Sequence, residues 1–328
     1  MGAIRQPREN EQGGRQKYNA IVKIDSVNGQ TVEESAKRAT FDALTPIRPD
    51  QGITLAQKTD DYIARAIDLF APVAFGQRGM LTSLGNSDCS EVFTAMAKGV
   101  SAAQPEAHII YVHVGGRPED ATELTRNVNG EVVVASSDTA PEDQLTVVEL
   151  ALERAKRLVE LGHDVILFVD SLSAVAQSLY LLTPAQHRTL HGVEDPTISH
   201  TVKRLFNSAR NVENGGSLAV YAAVDEYTDV YQTISPIANW TVSVAESPAV
   251  SDVFSSLQLE ESFARNSELL QTAAQAAGMA RLRQKFVESS EDAEPSEWSE
   301  EFSASCLKLL KGTVDNDEFL VKLAGELK

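Results

Sequence analysis

Cysteine is scarce in this chain: Cys89 and Cys306 are the only two in 328 residues, too few and too far apart for a disulfide framework or a four-ligand zinc site. A reducing compartment fits. Basic residues are short as well. The 29 Lys and Arg against 47 Asp and Glu leave a formal charge of -18, which argues against a broad surface that binds nucleic acid by neutralising phosphates. No apolar run of the roughly 18 residues needed to span a bilayer occurs, and the start MGAIRQPRENEQGGRQKY has no apolar core of a secretory signal. A soluble, cytoplasmic protein is expected. Gln6 stands where a myristoylation signal at Gly2 needs Ser or Thr.

The apolar content is sufficient for a sizeable core: 42% hydrophobic residues suit one large domain with appendages or two modest ones. Residues 1–16 are polar and read as a flexible tail. KYNAIVKIDSVNGQ predicts a strand ending in an Asn-Gly turn, and TDDYIARAIDLFAPV a helix that opens on acids and stops at Pro72. HIIYVHV, His108 to Val114, reads as a strand, and Pro118 followed by Glu119 and Asp120 suits the first turn of the next helix and its dipole. GEVVVASS is a further strand. DQLTVVELALERAKRLVELG places Val147, Leu150, Ala151, Leu158 and Leu161 on an apolar stripe that Gly162 terminates. DVILFVDS and GGSLAVYAAV are continuous apolar runs, as in parallel strands covered on both faces.

This alternation predicts an α/β fold, a mainly parallel sheet flanked by helices, with ligands at the carboxyl ends of its strands. Gly79 to Ser90 and Val165 to Ser171 would meet there. After Ala273 the chain turns Ala-rich and acidic: VESSEDAEPSEWSEE reads as a solvated linker, and EFSASCLKLLKGT and DNDEFLVKLAGELK as amphipathic helices. The expected division is 1–40, a polar tail and a remnant strand, 41–273, the α/β domain, and 274–328, a small helical region.

The phrases YNAIVKIDSVNG, FDALTPI, ARAIDLFAPVAFGQRG, GRPEDATEL, GEVVVASS, AKRLVELGHDVILFVDSLS, KRLFNSARNVENGGSL and DNDEF, in that order from Lys17 onward, resemble the transcription termination factor Rho family. The resemblance implies a RecA-like ATPase domain, ring hexamers with nucleotide at subunit interfaces, and RNA drawn through the centre. It also implies an amino-terminal cold-shock-like barrel, of which only a last strand around KYNAIVKI would remain here.

The stretch GQRGMLTSLGNSDCSEVF runs from a strand into a helix, where a phosphate loop G-x-x-x-x-G-K-[ST] belongs. On the family's pattern, Gly85 stays in the loop, while the family's Gly, Lys and Thr fall on Asp88, Cys89 and Ser90, so only the hydroxyl is kept. A carboxylate about 4 Å from a phosphate charge costs roughly 4 kcal/mol at an effective dielectric near 20. Asp88 and Glu91 also have the spacing of a capping box for the following helix. Cys89 is either a reactive thiol at a helix start or an inert one whose acidic neighbours raise its pKa.

The remaining positions are similarly altered. The acids of the family's DERPEE segment, including the water-activating Glu, become Gly115 and Gly116, and Arg117 is kept, for a phosphate or a local partner. Asp170 stands where the family holds magnesium, or serves hydrogen bonding at its strand end. The Arg of the family's SITR becomes Ala174, and the trans arginine finger becomes Glu246. Arg188, Lys203, Arg204 and Arg210 match RNA-channel or helix positions of the family, and equally read as solvated or paired cations. His187 and His191, at i,i+4, lack a third metal ligand, so no metal site is expected.

The expectation is a Rho-like pseudo-ATPase: a scaffold or modulator in Rho-dependent termination, with no cofactor, weak or absent RNA contact, and no membrane. It would assemble with its own copies, as a ring for example, or with an active Rho. The alternatives are an active RNA-dependent ATPase/helicase using ATP and magnesium, and an RNA-binding module without catalysis.

Overall fold

The computed structural model describes residues 2–5, 20–58, 61–83, 89–184, 196–226, 228–244, 253, 257–291 and 298–326. They divide into two units, Met1–Leu44 and Thr45–Lys328.

In the first unit, β1 (Gly2–Arg5) pairs antiparallel with β2 (Ala20–Ile24). The expected Asn-Gly turn is present: Asn28 and Gly29 both take positive φ, 49° and 82°, and Val27 and Gln30 exchange both main-chain hydrogen bonds at 2.9 and 3.0 Å. Two consecutive left-handed residues suit asparagine and glycine. Helix α1 (Val32–Lys37) follows, fastened by a capping box between Thr31 and Glu34.

The second unit holds the α/β core. β3 (Pro46–Ile47) and β4 (Gly52–Ile53) precede a 3-10 turn, Leu55–Lys58. Helix α2 (Tyr62–Phe70) begins where Asp61 accepts the Ile63 and Ala64 N–H groups and ends at Ala71, just before Pro72. Then come β5 (Val73–Ala74), β6 (Arg78–Ser83), α3 (Ser90–Ala103), β7 (His108–Val114), α4 (Pro118–Asn127), β8 (Glu131–Ala135), α5 (Pro141–Val159) and β9 (Asp164–Val169). α6 (Leu172–Leu182), α7 (Pro196–Phe206), β10 (Arg210–Val212), β11 (Ser217–Asp225), α8 (Asp229–Ile234), β12 (Trp240–Val244) and β13 (Leu257–Ala264) complete the core. The chain closes with α9 (Ala273–Glu291), α10 (Trp298–Lys311) and α11 (Asn316–Glu326).

The sheet runs β13-β12-β6-β11-β9-β7-β8, with β10 pairing β11 and β3. Every pair from β12 to β8 is parallel, and only β13, β10 and β3 join antiparallel. The α/β expectation therefore holds. One register line explains much of the core. Tyr111, Phe168, Tyr221, Gly79 and Trp240 lie side by side across β7, β9, β11, β6 and β12, with ring centroids 5.1 to 5.9 Å apart between successive aromatics. A Cβ at Gly79 would stand 2.0 Å from the Tyr221 ring, so the glycine is what admits that ring between its neighbours. The polar tips are bonded, Tyr221 Oη to Gln77 Oε1 at 2.6 Å and Trp240 Nε1 to the Ala71 carbonyl at 2.7 Å.

The structure corrects three details. Residues 2–5, expected in a flexible tail, form β1. On α5 the buried stripe is Val148, Ala151, Leu152, Ala155, Leu158 and Val159, while Leu150 is 64% exposed. The small Ala151 and Ala155 let the helix approach the sheet closely, and this rotates the face away from Val147 and Leu150. Gly162 does end the segment with φ 88°. The supposed linker is helical on both sides, through Glu291 and again from Trp298; residues 292–297 lie outside the described residues. The C-terminal helices belong to the same unit as the sheet.

Asp68 on α2 ties that helix to the 3-10 turn, accepting the Leu55 and Ala56 N–H groups at 2.9 and 2.8 Å. Burial pushes its carboxyl up to about 7, against the two N–H donors that pull it down. In the unfolded chain it ionises near 3.8, so the fold holds a proton that the unfolded chain has lost. This contribution is full below that value and gone once the pH has passed about 7. Urea denaturation is expected to show stability falling from pH 5 to 7, by at most roughly 1.4 kcal/mol per pH unit, and a flatter profile in Asp68→Asn. Equal slopes would contradict it.

Candidate functional site

A cavity of about 610 Å³ opens at the carboxyl ends of β6, β7, β9 and β11, where the strand alternation places a ligand site. Ser83, Cys89, Ser90, Gly115, Gly116, Arg117, Asp170 and Ala174 line it, so most of the positions singled out from the sequence do come together. Asp120, Asp225 and His113 line it as well. Gly85, Asp88, Arg188, His187, His191 and Glu246 lie outside the described residues. Lys203 and Arg204 are exposed in the last turn of α7, away from the cavity lining, and Lys98 is exposed well along α3.

The assigned helix α3 starts at Ser90, with Cys89 before it in helical conformation and making no side-chain cap bond; Asp88 of the expected capping box lies outside the described residues. Cys89 itself is buried. At α4 the reading holds: Arg117 is the N-cap residue, Pro118 opens the helix, and Glu119 and Asp120 occupy its positive end.

The centre of the site is a pair the sequence reading missed. Tyr111 pairs with Phe168 in the β7–β9 register, and two residues further on the same face stand His113 and Asp170. His113 Nδ1 bonds Asp170 Oδ2, and Asp170 Oδ1 accepts the Val114 N–H at 2.9 Å. His113 Nε2 faces the Arg117 main-chain carbonyl at 3.0 Å. An acceptor at each ring nitrogen favours the doubly protonated imidazole. Burial opposes that charge, but the Asp170 hydrogen bond and charge, with the Arg117 carbonyl, raise the His113 pKa above its ordinary value. Both side chains are nearly buried, 4% and 10% exposed.

The two glycines are fitted to this pair. A Cβ at Gly116 would stand 2.3 Å from His113 Cε1, and one at Gly115, where φ is 71°, would stand 2.8 Å from the Ala174 Cβ. A side chain at 116 would thus displace the imidazole. The one available clue in the sequence was a histidine near the end of an otherwise apolar strand, two residues before Gly115.

Both oxygens of Asp170 are bonded to His113 and Val114, no lysine lines the cavity among the described residues, and the segment 84–90 contains neither lysine nor arginine.

A family model of the ATP synthase alpha/beta nucleotide-binding domain matches residues 64–252. Transcription termination factor Rho of Bacillus subtilis (strain 168) is 33% identical over 333 residues, covering 100% of this chain and 74% of that protein. This chain belongs to the Rho family. Rho of Streptomyces lividans is 37% identical over 277 residues, 82% of this chain and 39% of its own length. Rho of Mycobacterium tuberculosis (strain ATCC 25618 / H37Rv) is 34% identical over 330 residues, 98% of this chain and 54% of its own. The chain thus spans about half or less of the length of these last two family members. Among solved structures, a prototypical ATPase from the type III secretion system of pathogenic bacteria superposes with a TM-score of 0.66 over 87% of each chain at 17% identity, a likeness of fold alone. Within the Rho family, then, this member carries a RecA-like core. Among its described residues no helix is long and apolar enough to cross a membrane.

Proposed function

We propose that this Rho-family chain is a pseudo-ATPase that serves as a scaffold or modulator in Rho-dependent transcription termination, without hydrolysing ATP. The observation that carries the reading is the buried His113–Asp170 pair, which engages the carboxylate the family would offer to magnesium. Gly115 and Gly116 in place of acids, Ala174 and Glu246 in place of arginines, and a loop without lysine point the same way. Phosphoryl transfer relies on positioned cations around the phosphates, and losing them together leaves little to stabilise the transition state. The partner proposed is an active Rho subunit, or further copies of this chain.

Calorimetric titration with ATP and magnesium is expected to give no binding heat and no phosphate release, with the particle mass measured on the same sample. Mixing with an active Rho is expected to give co-elution and altered hydrolysis. RNA-stimulated turnover by the purified chain would instead support an active ATPase, the reading favoured by Ser90 and Arg117 still lining a cavity of that size.

A further inference from the structure

We infer that the opposite, amino-terminal edge of the sheet carries a site for a phosphate-type oxyanion, built from Arg78, Arg210 and Arg265. β6, β12 and β13 are cross-linked there through Asn239. Its Oδ1 accepts the Arg78 N–H at 2.7 Å, its own N–H donates to the Arg78 carbonyl at 3.0 Å, and its carbonyl accepts the Arg265 N–H at 2.8 Å. The Arg78 side chain turns toward β10, donating from Nε to the Ile237 carbonyl at 2.9 Å and from Nη1 to the carbonyl of Ala209, the neighbour of Arg210, at 3.2 Å. Arg210 is steadied by its Nε on the Ser208 carbonyl at 3.3 Å. The sequence had grouped Arg210 with Lys203 and Arg204; the fold groups it with Arg78 and Arg265.

Arg210 and Arg265 both act on Arg78: after burial, their charges depress its pKa. Among the described residues neither Arg78 nor Arg265 forms a salt bridge to a carboxylate, although the chain carries a formal charge of -18. Asp50, beside β10, bonds the Asn211 amide instead. Guanidinium forks match the oxygens of a phosphate, and an oxyanion seated among them would relieve their repulsion. Arg78 opens β6 and Ser83, in the cavity lining, closes it, so this site and the cavity stand at opposite ends of one strand.

Free phosphate and the phosphate of a nucleotide share this chemistry. Thermal unfolding of the full chain, measured in sodium phosphate, in AMP, and in sodium chloride of equal ionic strength, tests it. Phosphate or AMP at ten times its dissociation constant is expected to raise Tm by about 2 °C or more over chloride. Arg265→Gln, at an exposed side chain, is expected to lose that rise, and Arg117→Gln to keep it. A response to AMP alone assigns the nucleotide as source. No rise beyond chloride, a rise that Arg265→Gln retains, or one that Arg117→Gln abolishes would overturn the site.

Discussion

Arg65→Met is expected to destabilise the fold by about 3–5 kcal/mol and to loosen α10 and α11 from α2. Arg65 is 3% exposed on α2. Its Nε donates to Asn316 Oδ1 at 3.0 Å, Nη1 to the Leu310 and Thr313 carbonyls at 2.7 and 2.9 Å, and Nη2 to Thr313 Oγ1 and the Asp315 carbonyl at 3.0 and 2.7 Å. The acceptors gather where α10 ends and α11 begins. Leu310 lies in the last turn of α10, whose carbonyls have no partners within their own helix, and a cation there also meets the negative end of the dipole. Methionine keeps the apolar stem and the volume but supplies no donor, so the Thr313 carbonyl and the Asn316 and Thr313 side-chain oxygens lose the bonds from Arg65, while the Leu310 and Asp315 carbonyls keep those from Thr313 and Phe319. Urea denaturation gives the energy, and hydrogen exchange of 298–326 shows whether those helices open first. A change below about 1 kcal/mol would mean that apolar packing around Leu310, Phe319 and Leu323 holds the helices alone.

The second large effect is expected at the centre of the cavity. His113→Leu leaves the Asp170 carboxylate buried with the Val114 N–H but without its cation, and a loss of about 3–5 kcal/mol follows. Asp170→Asn removes the opposing charge and costs less, because a neutral imidazole satisfies its two neighbours with one proton. The double variant is expected to be more stable than the sum of the single losses, with a coupling of about 1–3 kcal/mol. Additive losses would show that the two side chains do not act as a pair. None of these variants is expected to gain ATP binding, since residues 84–90 still lack lysine.

Much of the core was readable because its signals are local. Asp61 and Pro72 bracket α2, the run HIIYVHV is β7 from end to end, and Gly162 stops the α5 segment. The cavity was legible in outline, since parallel strands bring their carboxyl ends together whatever their order. Its chemistry was less so. Asp170 was read as either a metal ligand or a strand-end hydrogen-bonding group, and the side chain it bonds, His113, stands 57 residues earlier. Nothing in either local stretch announces the other, because adjacency between β7 and β9 is a matter of strand order. The stripe on α5 failed for a related reason: several rotations of that helix present apolar residues, and the alanines choose among them only once a sheet lies opposite.

Residue order alone settled the alternation of strands and helices, the apolar faces able to form a core, and the lack of lysine and arginine in residues 84–90, since hydrophobic period, turn residues and charge are properties of neighbours along the chain. Tertiary packing decided which side chains became partners. It set His113 against Asp170, closed Gly116 to any larger residue, buried Arg65 under the C-terminal helices and turned the Arg78 side chain toward the start of β10. Those are pairings across register and between layers, and their energies exist only when distant segments are brought within a few ångströms.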